Sequence, residues 1–352
     1  MVAVAVGTMT ALVNYGPEYG AVELRTVPVP APGPDEVLLR VRAVGVCGSD
    51  LHQYHGTQSW RVNWPVTLGH EFCGEIAALG PGVDGWAVGE RVACETAARV
   101  CGTCALCRTG RYNLCPARRG FGYGVDGAAA QYVAARSALL HRIPARVSWQ
   151  EAALTEPCCV AANAVLAQSA PRPGDTAVVL GPGPVGLLCT QLLAATGASH
   201  LMVVGLERDR ARLELARHYG ATRVVVLGAE DPVAVIGDLG DGLGADLVLD
   251  AAGVSAALRT ALEVVRPAGQ ITKVGWGREP LGFNLDPLVA KAITLRGSFS
   301  HTWATWERAL RLLADGMLDV KPLVNPYPLE RWQEAFACME RGEIAKAVLL
   351  PQ

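Results

Sequence analysis

This sequence of 352 residues has few aromatic residues, few charged residues and almost no excess of charge of one sign. Aromatic side chains make up 6% of it and charged side chains 18%, and 31 Lys and Arg nearly balance 33 Asp and Glu, for a net charge of −2. This balance argues against a dedicated nucleic-acid binder, which would normally be basic. The hydrophobic share of 51% excludes an intrinsically disordered chain.

Long uninterrupted hydrophobic runs are also missing. The apolar residues 1–6 lack a basic leader and are soon followed by Asn14 and Glu18, so we do not expect a signal peptide. The most apolar stretch, residues 178–206, is interrupted by glycine, proline, glutamine and histidine, so we expect no membrane span. The sequence therefore predicts a soluble, cytoplasmic protein that is long enough for about two domains.

The eleven cysteines are unevenly distributed, and four of them lie within 15 residues: Cys101, Cys104, Cys107 and Cys115. In a reducing cytosol, cysteines are more often metal ligands, catalytic thiolates or buried apolar residues than disulfides. Four thiolates at this spacing can complete a tetrahedral zinc shell, so we expect a structural zinc in a lobe at residues 99–116. The five arginines of residues 99–119 raise a nucleic-acid-binding zinc module as an alternative, although no recognition helix follows them.

The pattern of the chain changes near residue 160. Before it, strand-like segments such as residues 37–44 and 72–79 are separated by proline and glycine, which predicts a β-rich domain. After it, strands alternate with helices, beginning with a strand at 176–180, a helix at 185–196 and a strand at 201–204. That alternation predicts a doubly wound α/β domain with a parallel sheet.

A glycine-rich turn separates that strand from its helix, and it consists of Gly181, Pro182, Gly183, Pro184, Val185 and Gly186. The first glycine permits a tight turn, the second lets backbone approach a pyrophosphate, and the third lets helix and strand pack closely. The N-terminus of the helix offers free N–H groups and partial positive charge to the phosphates. Between a strand and a helix, this pattern predicts a dinucleotide site.

The residues after the second strand bear on the choice between NAD and NADP. An acidic residue about 20 positions after the glycines would bind the ribose hydroxyls and select NAD. Glu207 stands 21 residues after the last glycine of the turn, whereas Gly205 occupies the usual place at 19. We expect NAD bound through Glu207, with Arg212 as a further cofactor contact unless it belongs to a solvated helix face. In the alternative, Gly205 leaves room for the 2′-phosphate of NADP, and Arg208 or Arg210 neutralises it.

Three separated motifs offer the thiolate, imidazole and carboxylate groups that a catalytic zinc uses. They are Cys47-Gly48-Ser49-Asp50-Leu51-His52, Gly69-His70-Glu71 and Glu156-Pro157. A catalytic zinc needs about three protein ligands and one open position. Together with the cysteine lobe, the motifs predict two zinc ions per chain.

In their order along the chain, these motifs, the cysteine lobe and the glycine turn resemble the zinc-dependent medium-chain dehydrogenases, and most closely the polyol (sorbitol/iditol) and threonine dehydrogenase branch. The resemblance covers essentially the whole chain. It implies a GroES-like catalytic domain built from residues 1–157 and 297–352, with a Rossmann domain at residues 158–296 inserted between them. It also implies a homodimer or homotetramer joined through the Rossmann sheets.

The resemblance also implies roles around the catalytic zinc. Cys47, His70 and Glu71 correspond to its ligands. Glu156 corresponds to a glutamate of the polyol branch that binds the zinc directly or holds its water, and the two arrangements can alternate. Asp50 would orient His70 through the ring nitrogen that is not bound to metal.

A proton relay is implied in the same way. Ser49 would take the proton of the substrate hydroxyl and pass it through the cofactor ribose to His52, a side chain that titrates near neutrality. Hydride would then pass to the nicotinamide, leaving a ketone or aldehyde. Cys158 and Cys159 match no ligand position, and we expect them in the core.

The resemblance implies a secondary alcohol of a polyol or sugar as substrate. Ser300 stands where mammalian-type sorbitol dehydrogenases carry an arginine and Gln53 where they carry an aromatic residue, which points away from sorbitol itself. Residues 120–127 are similar to the threonine branch, so an amino alcohol is an alternative substrate. A nucleotide-binding reductase-like protein without catalytic zinc is an alternative from another class. Four further residues either line the pocket or only pack: Trp60, Phe121, Trp276 and His301.

Overall fold

A computed structural model describes residues 7–352, so the apolar residues 1–6, and the expectation that they form no signal peptide, lie outside the described residues. Within residues 7–352 the strands are β1 (Thr8–Asn14), β2 (Val22–Pro28), β3 (Glu36–Gly45), β4 (Val66–Thr67), β5 (Glu71–Leu79), β6 (Arg91–Cys94), β7 (Tyr132–Arg136), β8 (Leu140–Arg142), β9 (Thr176–Leu180), β10 (His200–Gly205), β11 (Arg223–Val226), β12 (Ala245–Asp250), β13 (Val265–Lys273), β14 (Thr294–Gly297), β15 (Val324–Pro328) and β16 (Lys346–Leu350).

The α-helices of the same range are α1 (Gly48–Tyr54), α2 (Ala105–Arg108), α3 (Trp149–Ala153), α4 (Thr155–Ala162), α5 (Pro184–Ala195), α6 (Arg210–His218), α7 (Pro232–Gly237), α8 (Ser255–Val264), α9 (Asp286–Ala290), α10 (Trp303–Ala314) and α11 (Trp332–Glu340). Short 3-10 turns lie at Tyr112–Leu114, Ser137–Leu139, Glu207–Asp209, Lys321–Leu323 and Leu329–Arg331, and a π-helical segment, Asn163–Gln168, extends α4. None of these helices has the length and apolar character that crossing a bilayer requires.

The strands form three sheets that confirm the predicted fold class. A parallel six-stranded sheet has the order β11-β10-β9-β12-β13-β14, the arrangement of a doubly wound α/β sheet with a crevice where the order reverses. The β-rich part contains a three-stranded sheet, β2-β1-β4, and a seven-stranded sheet in the order β15-β16-β3-β5-β6-β8, to which β7 pairs along β3.

The C-terminal strands complete the sheet that the N-terminal strands begin. β16 pairs antiparallel with β3, where Val348 faces Gly45 and Leu349 faces Val44. β3 in turn pairs with β5, where Gly45 faces Glu71. Strands from the N-terminal and C-terminal parts of the chain therefore meet where β5 begins.

The parallel sheet is buried on both faces, as the near-continuous apolar run of its central strand predicts. All five residues of β9 are buried, and α5, which packs against this sheet, buries eight of its twelve residues. Leu187, Leu188 and Leu193 of this helix are fully buried. Side chains of this size each contribute about 1.5–3 kcal/mol when buried. This packing fixes the N-terminus of α5 at the end of β9.

Candidate active site

Cys47, His70 and Glu71 come together although they lie on different elements. Cys47 is the N-cap of α1, while His70 directly precedes β5 and Glu71 begins it. One ligand atom from each lies within 4.8 Å of the others. The turn before His70 requires glycine, because Gly69 has a φ of +91° and a Cβ there would lie 2.9 Å from the backbone nitrogen of Ala129. The backbone thus brings the imidazole to the thiol and the carboxylate.

The chemistry of this group suits a zinc ion, because thiolate, imidazole and carboxylate are its usual ligands and three of them leave one tetrahedral position open. Asp50 lies beside it, and one of its oxygens, Oδ2, accepts a hydrogen bond from the backbone N–H of Cys47 at 2.8 Å. The other oxygen is 3.9 Å from Nδ1 of His70, and neither atom has a hydrogen-bond partner within the described chain. Asp50 therefore faces the ring nitrogen it is predicted to orient, at more than hydrogen-bond distance.

Negative charge dominates the surroundings of His70. Burial lowers the pKa of this imidazole, but the hydrogen bond and charge of Cys47, and the charges of Asp50 and Glu156, outweigh it and raise the pKa well above its usual value. A site that stabilises a positive charge in this way also suits a bound metal cation.

A lysine from the last strand neutralises Glu71. Nζ of Lys346 lies 2.6 Å from Oε1 and 2.5 Å from Oε2 of Glu71, and both side chains are almost fully buried. Burial raises the pKa of Glu71, although the lysine charge offsets part of that rise. As a zinc ligand, Glu71 would share its carboxylate with this ammonium. Nothing local in the sequence indicates the pair, because 275 positions separate its partners.

Glu156 lies outside the compact group and is held by a buried histidine. Nε2 of His301 is 3.0 Å from Oε1 of Glu156, and the hydroxyl of Thr96 donates to the same oxygen at 3.4 Å. The indole N–H of Trp306, which can only donate, lies 2.7 Å from Nδ1 of His301. His301 therefore carries its proton on Nε2 and donates it to Glu156. Burial raises the pKa of Glu156, but this hydrogen bond and nearby positive charges lower it to about 2.

The loop before His301 is held by two asparagine side chains from different parts of the chain. The amide of Asn163 donates to the hydroxyl of Ser298 at 3.1 Å, and the amide of Asn113 donates to the carbonyl of Phe299 at 2.9 Å. Ser300 has a φ of +55°, which is uncommon for a residue with a side chain and occurs where the surroundings impose it. This turn separates Phe299, which packs against Trp276, from His301, which contacts Glu156.

Aromatic rings form a wall between the β-rich part and the parallel sheet. Ring centroids lie 6.2 Å apart for His52 and Trp60, 6.0 Å for Trp60 and Trp276, and 5.9 Å for Trp276 and Phe299. The carbonyl of Trp276 closely approaches Gly253, where a Cβ would lie 2.2 Å from it. Trp60 and Trp276 therefore stand in one row of rings, and their place in a substrate pocket stays a prediction.

Phe121 and Gln53 have structural surroundings instead. Phe121 is buried and packs edge-on against Phe72, with their ring centroids 5.2 Å apart. Gln53 is fully buried, accepts a hydrogen bond from Asn14 at 3.3 Å and donates one to the carbonyl of Gly122 at 3.1 Å. Of the two readings left open for Phe121, packing is the one the structure supports.

The two residues of the predicted relay lie on α1. Ser49 is half-buried and His52 is exposed. Nδ1 of His52 is 2.9 Å from the hydroxyl of Thr57. Partial burial, followed by the charges of His55 and Arg278, lowers the pKa of His52. Its imidazole is therefore neutral near pH 7 and able to accept a proton.

The four cysteines of the lobe converge on one point, with their sulfur atoms all within 4.8 Å of one another. Sγ of Cys101 is 3.9 Å from that of Cys107 and 3.6 Å from that of Cys115. A tetrahedral shell with Zn–S bonds of 2.3 Å has edges of about 3.8 Å, so the geometry fits zinc. Backbone N–H groups of Cys104 and Thr103 lower the pKa of the Cys101 thiol to about 6, which favours the thiolate.

The cysteines are free thiols, as expected. All eleven lie within the described residues, and none of them forms a disulfide. Cys158 and Cys159 are completely buried, and burial strongly raises the pKa of each thiol. They belong to the core, as predicted.

The glycine turn has the geometry that its three glycines suggest. Gly181 has a φ of +94°, Gly183 has open space where a Cβ would point, and a Cβ at Gly186 would lie 1.9 Å from the carbonyl oxygen of Gly181. Pro184 and Val185 open α5, where proline costs no hydrogen bond. At Gly183, therefore, no side chain stands between the N-terminus of α5 and a ligand that approaches it.

Gly205 and Glu207 stand at the end of β10, next to this turn. A Cβ at Gly205 would lie 2.9 Å from the ring of Pro182, so close packing accounts for this glycine. Glu207 is exposed and pairs with Arg210 at 2.5 Å, and this hydrogen bond lowers the pKa of Glu207. A carboxylate and a guanidinium thus lie together at the position for which the sequence predicts the choice between NAD and NADP.

Arg212 requires a correction. Its side chain is only 16% exposed and donates to the carbonyls of Met339 at 3.1 Å and Ile344 at 2.7 Å, as well as to Asp209 at 3.3 Å. The guanidinium is therefore committed to joining α6 to the segment around α11. It belongs neither to a solvated helix face nor, with these contacts, to the nucleotide contacts to which we assigned it.

Comparison with known proteins places this geometry in a family. Residues 33–145 match the model for the alcohol dehydrogenase GroES-like domain, and residues 184–315 match that for zinc-binding dehydrogenase. A sorbitol dehydrogenase of Halalkalibacterium halodurans is 39% identical over 97% of this chain and 99% of its own length. A D-arabitol-phosphate dehydrogenase of Enterococcus avium is 35% identical over 97% of each chain.

Two further relatives extend the range of substrates and show a cofactor. An L-threonine 3-dehydrogenase of Pyrococcus horikoshii is 37% identical over 97% of this chain and 98% of its own. A crystal structure from Escherichia coli CFT073, described as a short chain alcohol dehydrogenase (rspB) in complex with NADH, superposes with a TM-score of 0.89 at 27% identity, covering 98% of this chain and 99% of that one.

Proposed function

Because the chain belongs to the zinc-dependent alcohol dehydrogenase family, we propose that it oxidises a secondary alcohol of a polyol or sugar-like substrate to a ketone and transfers the hydride to NAD. The observation that carries this proposal is the meeting of Cys47, His70 and Glu71, with Glu156 nearby, beside an aromatic cleft next to the nucleotide turn. Two zinc ions per chain, one in this group and one in the cysteine lobe, complete the proposal.

The side chains divide the work of removing a proton and a hydride from one C–O–H group. A zinc ion held by Cys47 and His70, with a carboxylate as third ligand, would supply a Lewis acid that makes the hydroxyl more acidic. Ser49 would take the hydroxyl proton as it releases its own, and His52, neutral near pH 7, would finally accept a proton; the ribose of a bound cofactor would supply the hydroxyls between the two. His301 keeps Glu156 ionised and in one orientation.

A substrate panel tests the proposal. We expect NAD-dependent oxidation of polyols and simple secondary alcohols, with little turnover of L-threonine, because two carboxylates of the site, Glu71 and Glu156, are already paired with Lys346 and His301 and are not available to an ammonium group. Preferred oxidation of L-threonine would favour the amino-alcohol alternative. Reduction of enones or quinones by a chain that carries one zinc would favour the reductase-like alternative.

Cofactor choice is tested at Glu207. We expect Glu207→Ala to lower the ratio of kcat/KM with NAD to that with NADP by about 10-fold or more, because the ribose hydroxyls lose a charged acceptor while Arg210 is freed for a 2′-phosphate. Glu214→Ala is the matched control, since Glu214 pairs with Arg217 in the same i,i+3 geometry on α6. A parent enzyme that prefers NADP would contradict the choice of NAD.

Oligomeric state and location complete the proposal. All four residues of β14, the edge strand of the parallel sheet, are exposed, and an unpaired edge of this kind suits pairing with a second copy. We propose a homodimer or homotetramer joined there. The expected location is the cytoplasm, where reducing conditions keep cysteine ligands as thiols.

A further inference from the structure

Arg118 carries a charge that no acidic group within residues 7–352 neutralises. Its Nη1 donates to the hydroxyl of Tyr123, its Nη2 lies 3.4 Å from the hydroxyl of Ser300, and its Nε is buried without a hydrogen-bond partner. The guanidinium carbon lies 5.4 Å from the centre of the Phe299 ring. Every contact is therefore to a neutral group, although a guanidinium is always charged in proteins.

This guanidinium belongs to the cleft of the reaction site. Ser300, which it contacts, directly precedes His301, the residue that holds Glu156 at 3.0 Å. Phe299, on which it stacks, is the end of the aromatic wall that begins at His52. Arg118 is thus linked to Glu156 through Ser300 and its neighbour His301.

Arg118 differs from the charged groups around the metal group, because its contacts are only to hydroxyls and rings. Glu71 forms an ion pair with Lys346 and Glu156 accepts a hydrogen bond from His301, whereas Arg118 is partly buried and has no acidic partner within the described residues. On the edge of the guanidinium formed by Nε and Nη2, Nε has no hydrogen-bond partner, and Nη2 has only the 3.4 Å contact with the hydroxyl of Ser300. Such an edge has the geometry that binds two oxygens of a phosphate or carboxylate at once.

We propose that Arg118 binds an anionic group of the substrate, so that the enzyme prefers alcohols carrying a phosphate or carboxylate over neutral alcohols. The proposal rests on the proposed oxidation of an alcohol and names the substrate class of that site. The oxidised carbon lies at the metal group while the anionic group lies across the cleft at Arg118. A guanidinium binds phosphate and carboxylate through the same charge and paired hydrogen bonds. Assays with one substrate of each kind show which of the two groups the enzyme prefers.

The test compares matched pairs of substrates in the metal-loaded enzyme: sorbitol against sorbitol 6-phosphate, and 2-butanol against 3-hydroxybutyrate. We expect the parent to favour one anionic member in kcat/KM, and Arg118→Gln to reduce that preference about 100-fold, mainly through KM. Arg118→Lys should retain part of it, since it keeps the charge but loses the planar fork. Arg119→Gln, which removes the neighbouring exposed arginine, should keep the parent's preference.

Binding of the same anionic probes, measured by calorimetry, gives a readout that does not depend on turnover. Tighter binding by the parent than by Arg118→Gln supports the role of Arg118. Equal binding, or a preference for the neutral member of both pairs, would overturn it. Oxidation of neutral alcohols without any preference for an anion would overturn this inference alone, whereas absence of oxidation of every alcohol would overturn the proposed function.

Discussion

Replacing Cys47 or His70 with alanine is expected to lower turnover by about 10⁴-fold or more, because each removes a ligand from the group that would hold the catalytic zinc. The chain should still fold, since the cysteine lobe lies on a different segment and neither substitution touches the parallel sheet. Metal analysis should fall from two zinc ions per chain to one. Steady-state rates with the best alcohol of the panel and thermal unfolding check the two parts of this prediction.

Cys189→Ala is the matched control for the thiol. Cys189 is fully buried in α5 and contacts none of the ligand residues, so its loss should leave the zinc content at two and the rate within a few-fold of the parent's. Parent-level turnover in Cys47→Ala or His70→Ala would remove these residues from the active site. It would also remove the basis for the proposed reaction.

Cys101→Ser is expected to lower the melting temperature by about 10 °C. The lobe has little apolar core of its own, since α2 contains no buried residue, and four sulfur atoms around one zinc would hold it together. Loss of one ligand weakens metal binding by several kcal/mol. Because metal binding also stabilises the folded lobe, the free energy of unfolding falls as well. Calorimetric unfolding and metal analysis check it, with the zinc count expected to fall by one.

This substitution should also weaken substrate binding, because the lobe supports residues 298–301, the loop that leads to His301. Asn113, between the last two cysteines, donates to the carbonyl of Phe299, and the hydroxyl of Tyr112 donates to Glu95 at 2.7 Å. Cys338→Ser serves as control, since Cys338 lies on α11 and outside the lobe. An unchanged melting temperature with one zinc lost would show that the lobe folds without metal.

Features encoded within a few consecutive residues could be predicted from the sequence. The glycine turn, the four cysteines and the strands of the parallel sheet are all local patterns, so periodicity and spacing were sufficient. β9 was predicted with its exact bounds, and α5 to within one residue at each end. The order of the motifs then indicated the family. Glu156 was a candidate for the catalytic zinc from its motif, and the resemblance gave it a specific role there.

Contacts between distant segments could not be predicted in this way. Lys346 meets Glu71 only because β16 returns to β3, and His301 meets Glu156 although 145 positions separate them. Arg212 looked like a nucleotide contact or a surface residue because its partners, Met339 and Ile344, lie more than a hundred positions away. The partners of a charged residue on a helix therefore cannot be inferred from that helix alone.

The return of the last strand also orders events during synthesis. Residues 36–79 leave the ribosome early, yet the ammonium group of Lys346 that balances Glu71 arrives only with β16, after all strands of the parallel sheet. Until then, the carboxylate lacks this counter-charge, and the nascent sheet lacks the neighbour that pairs with β3. The parallel sheet, whose strands β9 to β14 are consecutive, can fold first. A chain that stopped before β16 would therefore hold this sheet beside an incomplete group of Cys47, His70 and Glu71.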